Sequence, residues 1–214
     1  MPNHWIILDV ASAPIADAAL YIDKDSIKVP ENYKKPESIS GYVEDEYRSR
    51  IAKAGLDLDL ARITAIGVHR SVSETPAIAA CQTEDEERHA LKTLAQLVQE
   101  VDRPTLVTYG GFHFDLPLLM RRARYLGVDF PKLNLDRFKS PHVDLLLELS
   151  DRDPSRRRSL NFYCTRLGWT DCPKALSGEE EAKVHATGNW EALRASVARD
   201  VEVTRRLAAW LGVI

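Results

Sequence analysis

Three aspartates stand where the surrounding sequence is otherwise apolar, and they restrict the fold more than any other feature of the chain. Asp9 lies in Trp5-Ile6-Ile7-Leu8-Asp9-Val10-Ala11, Asp115 follows Tyr109-Gly110-Gly111-Phe112-His113-Phe114, and Asp200 lies in the C-terminal helical pattern. A carboxylate removed from water alone is too costly to keep, so each must be paired, hydrogen-bonded or set against a metal ion. Any fold for this chain has to bring partners to all three.

The segments around them read as an alternation of strands and helices. Residues 4–11 predict a short buried strand, ended by Ala11-Ser12-Ala13-Pro14. Residues 12–55 predict an irregular excursion followed by a charged surface helix over 38–54 that stops at Gly55. Residues 62–70 and 76–81 predict two strands joined by a polar link. Thr83 and Glu86 form a capping box ahead of Leu91, Leu94, Leu97, Val98 and Val101 at helical spacing, which predicts a helix over 84–101. A strand over 105–109 leads through Gly110-Gly111 to a helix over about 116–126. The remainder reads as helices over about 142–150, 159–168 and 189–212. Strands early and helices late, with helices between the later strands, give an α/β fold class with a mixed sheet, and nothing in residues 1–214 demands a second domain.

Strand alternation puts Trp5, Ile7, Asp9 and Ala11 on one face. Asp9 then emerges near the strand's C-terminal end, where α/β sheets place ligands, although capping of the next turn would look the same. Asp115 precedes Leu116-Pro117 and also reads as an ordinary N-cap. Asp200 is harder to explain as surface. At about 100° per residue from Trp190, it falls near about 280°, between Leu207 at about 260° and Leu193 at about 300°. A metal ion explains a carboxylate in that arc better than pairing with Arg199.

The formal net charge is −3, so attraction to nucleic acid must come from local basic patches. The three cysteines have no paired C-x-x-C spacing, against a disulfide framework or zinc ribbon. No run approaches membrane-spanning length, and the expectation is a soluble, cytoplasmic protein with reduced thiols.

At these residues the chain resembles the predicted 3′–5′ exonucleases related to the proofreading domain of B-family DNA polymerases. These are members of the DEDD superfamily. The resemblance runs through Leu8-Asp9-Val10, Asn32-Tyr33-Lys34-Lys35-Pro36-Glu37-Ser38-Ile39 and Arg62-Ile63-Thr64-Ala65-Ile66-Gly67. It continues in Phe114-Asp115-Leu116-Pro117-Leu118-Leu119 with Arg121-Arg122-Ala123, in His142-Val143-Asp144-Leu145, in Ser159-Leu160-Asn161, and in Asp200-Val201 with Thr204. It implies a ribonuclease H-like mixed β-sheet flanked by helices in a single domain. It also implies Asp9, Asp115 and Asp200 as catalytic, metal-holding residues. The family carries Asp-x-Glu in its first motif and Tyr four residues before the last Asp. Here the Glu position is Ala11, the Tyr position is Ser196, and the Asn often found before the second motif is Gly110.

The resemblance further implies two divalent ions about 4 Å apart, one activating water and one stabilising the leaving oxygen. Oxygen ligands suit Mg²⁺ or Mn²⁺. Ala11 deletes a ligand and Ser196 the phenol that orients water, while Asp144 offers a substitute carboxylate or a helix cap. The three aspartates are expected to converge in one open cleft, with Ala11 and Ser196 on its rim. His113 and His185 are candidate bases, and Phe112 a platform for a terminal base. Arg121, and Arg157 within the run Arg156–Arg158, are candidate phosphate contacts. The leading reading is metal-dependent phosphodiester hydrolysis at the 3′ end of single-stranded DNA or RNA. A second reading is a catalytically degenerate exonuclease-fold module that binds nucleic acid or a protein partner. A third is a nucleotide or small-phosphate hydrolase.

Overall fold

Period-two alternation in the first strand decides how the layers stack. In the computed structural model every residue is described except 1–3, 102, 103, 137, 173–175 and 177, with the backbone alone at 178, 179, 182 and 183. Ile6, Leu8 and Val10 of β1 (Trp5–Pro14) pack on α2 (Glu84–Glu100) and α3 (Asp115–Tyr125), through Leu91, Leu94, Val98, Leu116 and Leu119. Ile7 and Ala11 pack on the opposite side against Leu193, Val197, Val201 and Leu207 of α7 (Trp190–Trp210). The result is a helix–sheet–helix sandwich, and Asp9 lies on the α7 side, as alternation requires.

The sheet has five strands in the order β3-β2-β1-β4-β5, with β2 at Ala61–Arg70, β3 at Ala77–Ala80, β4 at Thr105–Thr108 and β5 at Val143–Asp144. β1 and β3 are antiparallel to β2, whereas β4 runs parallel to both β1 and β5. The expected α/β class with a mixed sheet is therefore what forms. α1 (Pro36–Lys53) buries none of its residues, as its charged sequence predicts. The capping box at Thr83 forms, with Glu86 N–H donating to Thr83 Oγ1 at 3.2 Å and Thr83 N–H to Glu86 Oε2 at 3.0 Å. Among the described residues, no helix is long and apolar enough to cross a membrane.

Three expectations are corrected. β1 does not stop at Ala11: a bulge between Ala11 and Ser12 absorbs an extra residue, and pairing with β2 continues to Pro14. Ser12 Oγ donates to the Gly55 carbonyl at 2.7 Å and ties this extension down. The segment expected as one helix over 142–150 opens as β5, because pairing with β4 captures Val143 and Asp144. Only Leu145–Leu149 then form a helix, α4. The C-terminal half also contains α5 (Leu160–Arg166) and an unforeseen helix, α6 (Gly178–Ala186), which packs against β1 and α7.

Candidate active site

The parallel half of the sheet delivers the second aspartate to the first. Pairing of β1 with β4 runs from Trp5 to Ile7, so Asp9 lies just past its end. β4 ends at Thr108, and residues 109–114 turn the chain into α3. Asp144 holds this turn: Oδ1 accepts from Gly110 N–H at 2.7 Å and from Leu146 N–H at 3.0 Å, and Oδ2 from Phe112 N–H at 3.1 Å. Gly110 takes φ +82°, a backbone state that favours glycine and tolerates Asn better than most side chains. Asp115 is the first residue of α3 and makes no capping bond, since Phe114 occupies the N-cap. The ordinary-cap reading fits Asp144, not Asp115.

The third aspartate is brought in by close helix–sheet contact. Gly67 is the cross-strand partner of Asp9, and a Cβ there would stand 2.5 Å from Val197 Cγ1 and 2.7 Å from Val201 Cγ2. Only a residue without a side chain lets α7 lie this near the strand, which carries Asp200 towards Asp9. Arg199 Nη1 donates to Asp200 Oδ1, and Nη2 donates to Asn161 Oδ1 and, at 3.6 Å, to Cys164 Sγ. Asp200 is thus ion-paired with Arg199 in this arrangement.

A fourth carboxylate joins the three. Glu181 of α6 accepts a hydrogen bond from Ser196 Oγ at 2.9 Å. Burial pushes Asp9 well above the usual carboxylate range, and the charges of Asp115, Asp200 and Glu181 raise it further, with Arg199 acting the other way. Asp115 is pushed up to about 8 by burial and by Asp144, Glu181 and Asp200. Its place in the first turn of α3, where the helix dipole favours a negative charge, is outweighed. Burial and the Asp200 charge push Glu181 up to about 7 against the Ser196 hydrogen bond, while Asp200 is raised by burial against Arg199. These groups repel one another's charge in a poorly hydrated place.

Residues 53–207 match a family described as predicted 3′–5′ exonucleases related to the exonuclease domain of PolB. The chain belongs to this family. The matched span begins after β1 and runs from the end of α1 into α7, so it includes Asp115 and Asp200 but not Asp9. DNA polymerase 1 of Pyrococcus abyssi is 40% identical over 109 residues, 47% of this chain and 14% of the polymerase. A DNA polymerase of Pyrococcus horikoshii is 32% identical over 111 residues, 47% of this chain and 9% of that protein. The chain spans a small part of these relatives' length. The family B DNA polymerase of the hyperthermophilic archaeon Pyrobaculum calidifontis superposes with a TM-score of 0.60 at 15% identity, over 99% of this chain and 25% of that one. That likeness shows the fold: a mixed five-stranded sheet flanked by helices, similar to a family B polymerase exonuclease fold.

Within this exonuclease-family fold the other sequence candidates fall in different places. Ala11 and Ser196 do not line an open rim; they are 1% and 7% exposed. Phe112 packs against the α2–α3 core, which competes with the base-stacking role. His113 and Arg157 are brought together, with Arg157 Nη2 against His113 Nε2. Arg121 does not join them: Nη1 donates to Asp59 Oδ1 at 2.5 Å, and Tyr125 Oη shares that acceptor at 2.6 Å. The His185 ring stacks edge-on against Trp190, at 5.2 Å between centroids.

Glu181 escaped the sequence reading because Glu179-Glu180-Glu181 looks like a solvated run. The usable signal was spacing: Glu181 lies three and four residues before Val184 and His185, so the three share one helical face, and Val184 packs into the α7-side core.

The donor chemistry of this cluster fits a hard divalent ion: oxygen atoms only, with an excess of negative charge that a cation would relieve. The side chains are not closed into a cage, for among the described residues no group of three or more His, Cys, Asp and Glu is arranged to hold one ion.

Proposed function

We propose that the chain hydrolyses phosphodiester bonds at nucleic-acid 3′ ends with Mg²⁺ or Mn²⁺, using Asp9, Asp115 and Asp200 as the metal-holding carboxylates. The observation that carries this reading is the delivery of three aspartates by β1, α3 and α7 near enough that Asp9 feels the charges of Asp115 and Asp200, in a chain belonging to a family of predicted exonucleases. A divalent ion there supplies Lewis-acid charge to the phosphoryl group and lowers the pKa of a bound water. The protein's part is to hold the oxygen ligands in fixed elements. β1 is locked on both sides at its start, α3 is set by the Asp144-anchored turn, and α7 is seated on Gly67. His113, exposed near the start of α3, and the half-buried Arg157 in contact with it would meet the phosphate backbone of a single-stranded DNA or RNA end.

Arg199 favours a second reading. A guanidinium already seated on Asp200 gives the cluster an internal counter-charge, which suits binding of nucleic acid or a protein partner without hydrolysis.

The test is to incubate 3′-labelled single-stranded DNA and RNA, and free nucleoside triphosphates, with Mn²⁺ and the wild-type or Asp115→Asn protein. Stepwise shortening from the 3′ end, lost in Asp115→Asn, is the expected outcome. Intact polymers with retained binding would favour the binding module, and cleavage of nucleotides alone would favour a small-phosphate hydrolase. Shortening that survives Asp115→Asn would place the chemistry elsewhere.

A further inference from the structure

We infer that Glu181 is the fourth carboxylate of the metal-holding cluster, delivered by α6 and positioned by Ser196. The inference rests on the metal-dependent reading of this cluster and names a ligand that reading lacks.

The geometry argues for it in three steps. Beyond Ile7, β1 has no strand partner on its β4 side among the described residues, and α6 packs against β1 and α7. That contact brings an acidic helix to the strand whose Ala11, at the family's Glu position, offers only a buried methyl group. Next, Ser196 Oγ donates to Glu181 Oε1 at 2.9 Å. Ser196 lies one helical turn before Asp200 on α7, so the hydroxyl that orients Glu181 is fixed to the element carrying Asp200. One Glu181 oxygen is thereby engaged and the carboxylate is aimed rather than free to rotate into solvent. Last, the charge of Glu181 acts on both Asp9 and Asp115, and the charge of Asp200 acts on Glu181. A surface glutamate in a solvated run would be screened from all three.

The two unusual positions then form one arrangement. With alanine at 11, the space beside β1 admits a carboxylate from α6. With a short hydroxyl at 196, that carboxylate finds a donor where a phenol ring would occupy its place. Ala11 and Ser196 are two halves of a single relocation of the ligand, from the strand to a helix.

The experiment measures Mn²⁺ binding to the full chain by titration calorimetry, with no nucleic acid present. Glu181→Gln keeps the shape of the side chain and its bond with Ser196 while removing the charge, and melting temperature checks the fold of each variant. The expected result is a loss in Mn²⁺ affinity of about 10–100-fold for Glu181→Gln, a larger loss for Asp9→Asn, and a smaller one for Ser196→Ala. Ser196→Thr, which retains the hydroxyl, recovers affinity relative to Ser196→Ala, as a positioning role requires. Ala11→Glu added to Glu181→Gln returns part of the lost affinity, because it restores a carboxylate to the same centre.

Glu181→Gln binding Mn²⁺ as the wild type does, while Asp9→Asn loses it, would overturn this inference and leave the aspartate site standing. Wild-type protein that binds no Mn²⁺ at millimolar concentration would overturn both. Should Ala11→Glu restore nothing in a folded double variant, the relocation would be wrong.

Discussion

The two faces of the sheet bury charge in opposite ways. On the α2–α3 face, Arg122 and Glu87 meet as a bidentate pair at 2.7 and 2.8 Å, with side chains 7% and 0% exposed. Glu87 Oε1 also accepts the Ile63 N–H of β2 at 2.9 Å, so the pair is closed and neutral. On the α7 face, Arg199 is ion-paired with Asp200 and opposes the upward shift of Asp9, while burial raises the proton affinity of Asp9, Asp115, Asp200 and Glu181. A buried charge with a dedicated partner is a structural device, and its geometry is complete. A half-buried excess of one sign stores unfavourable energy that protons or a cation can release, which is what a functional site needs.

The largest effect is expected where the neutral face is opened. Arg122→Met should destabilise the protein by about 3–5 kcal/mol, because it leaves Glu87 buried without its counter-ion. Urea denaturation measures it. The double change Arg122→Met with Glu87→Leu should recover much of the loss, since paired removal strands no charge. A double variant no more stable than the single one would mean that the pair contributes packing rather than charge balance.

On the anionic face the corresponding change should have the reverse sign. Asp115 holds its proton to about pH 8 when folded but loses it near 3.8 when unfolded. Between those values the unfolded chain binds fewer protons, so stability contributed by this group is full below about pH 4 and is lost as pH rises towards 8. In chelator, the wild-type melting temperature should fall between pH 5 and 8.5. Asp115→Asn should flatten that slope and melt higher at pH 8.5 by at least roughly 2–4 °C, the shift that about 1 kcal/mol gives a domain of this size. Parallel curves for the two proteins would show that Asp115 is not in the anionic cluster. Because a cation competes with the same protons, added Mn²⁺ should stabilise the wild type more at pH 8.5 than at pH 5.

The smallest effect is expected away from both charge centres. Thr83→Ala removes one half of the capping box at α2 and should cost about 1 kcal/mol. It should leave Mn²⁺ affinity unchanged. A change in affinity would mean that α2 and the carboxylate cluster are coupled through the sheet.

Much of this arrangement was legible in the sequence, and the illegible part has physical causes. β1, β2, α2 and α7 declared themselves because their apolar residues repeat with the period of the face they bury. Asp200 was legible for the same reason, as a carboxylate inside an apolar arc. The extension of β1 was hidden because Ala11-Ser12-Ala13-Pro14 carries turn chemistry that a bulge overrides. β5 was hidden because two residues of strand have no period of their own and depend on the edge of β4. Glu181 was missed, and Arg199 was weighed only against its neighbour Asp200, because their other partners lie far away in the chain. Ser196 is 15 residues from Glu181, and Asn161 is 38 from Arg199. Local patterns report which face a residue occupies; they do not report what stands opposite it.

Sequence drift at position 67 is constrained by its place opposite Asp9. A methyl group added there would act as a wedge between β2 and α7, since Val197 and Val201 already occupy the space it would fill. The helix would be levered outward as a rigid bar, taking Asp200 and Ser196 with it and changing no charge or ligand. The reach between motifs distant in the chain is therefore gauged by an atom that is missing. A chemically neutral replacement, far from solvent and on another strand, would retune the carboxylate cluster.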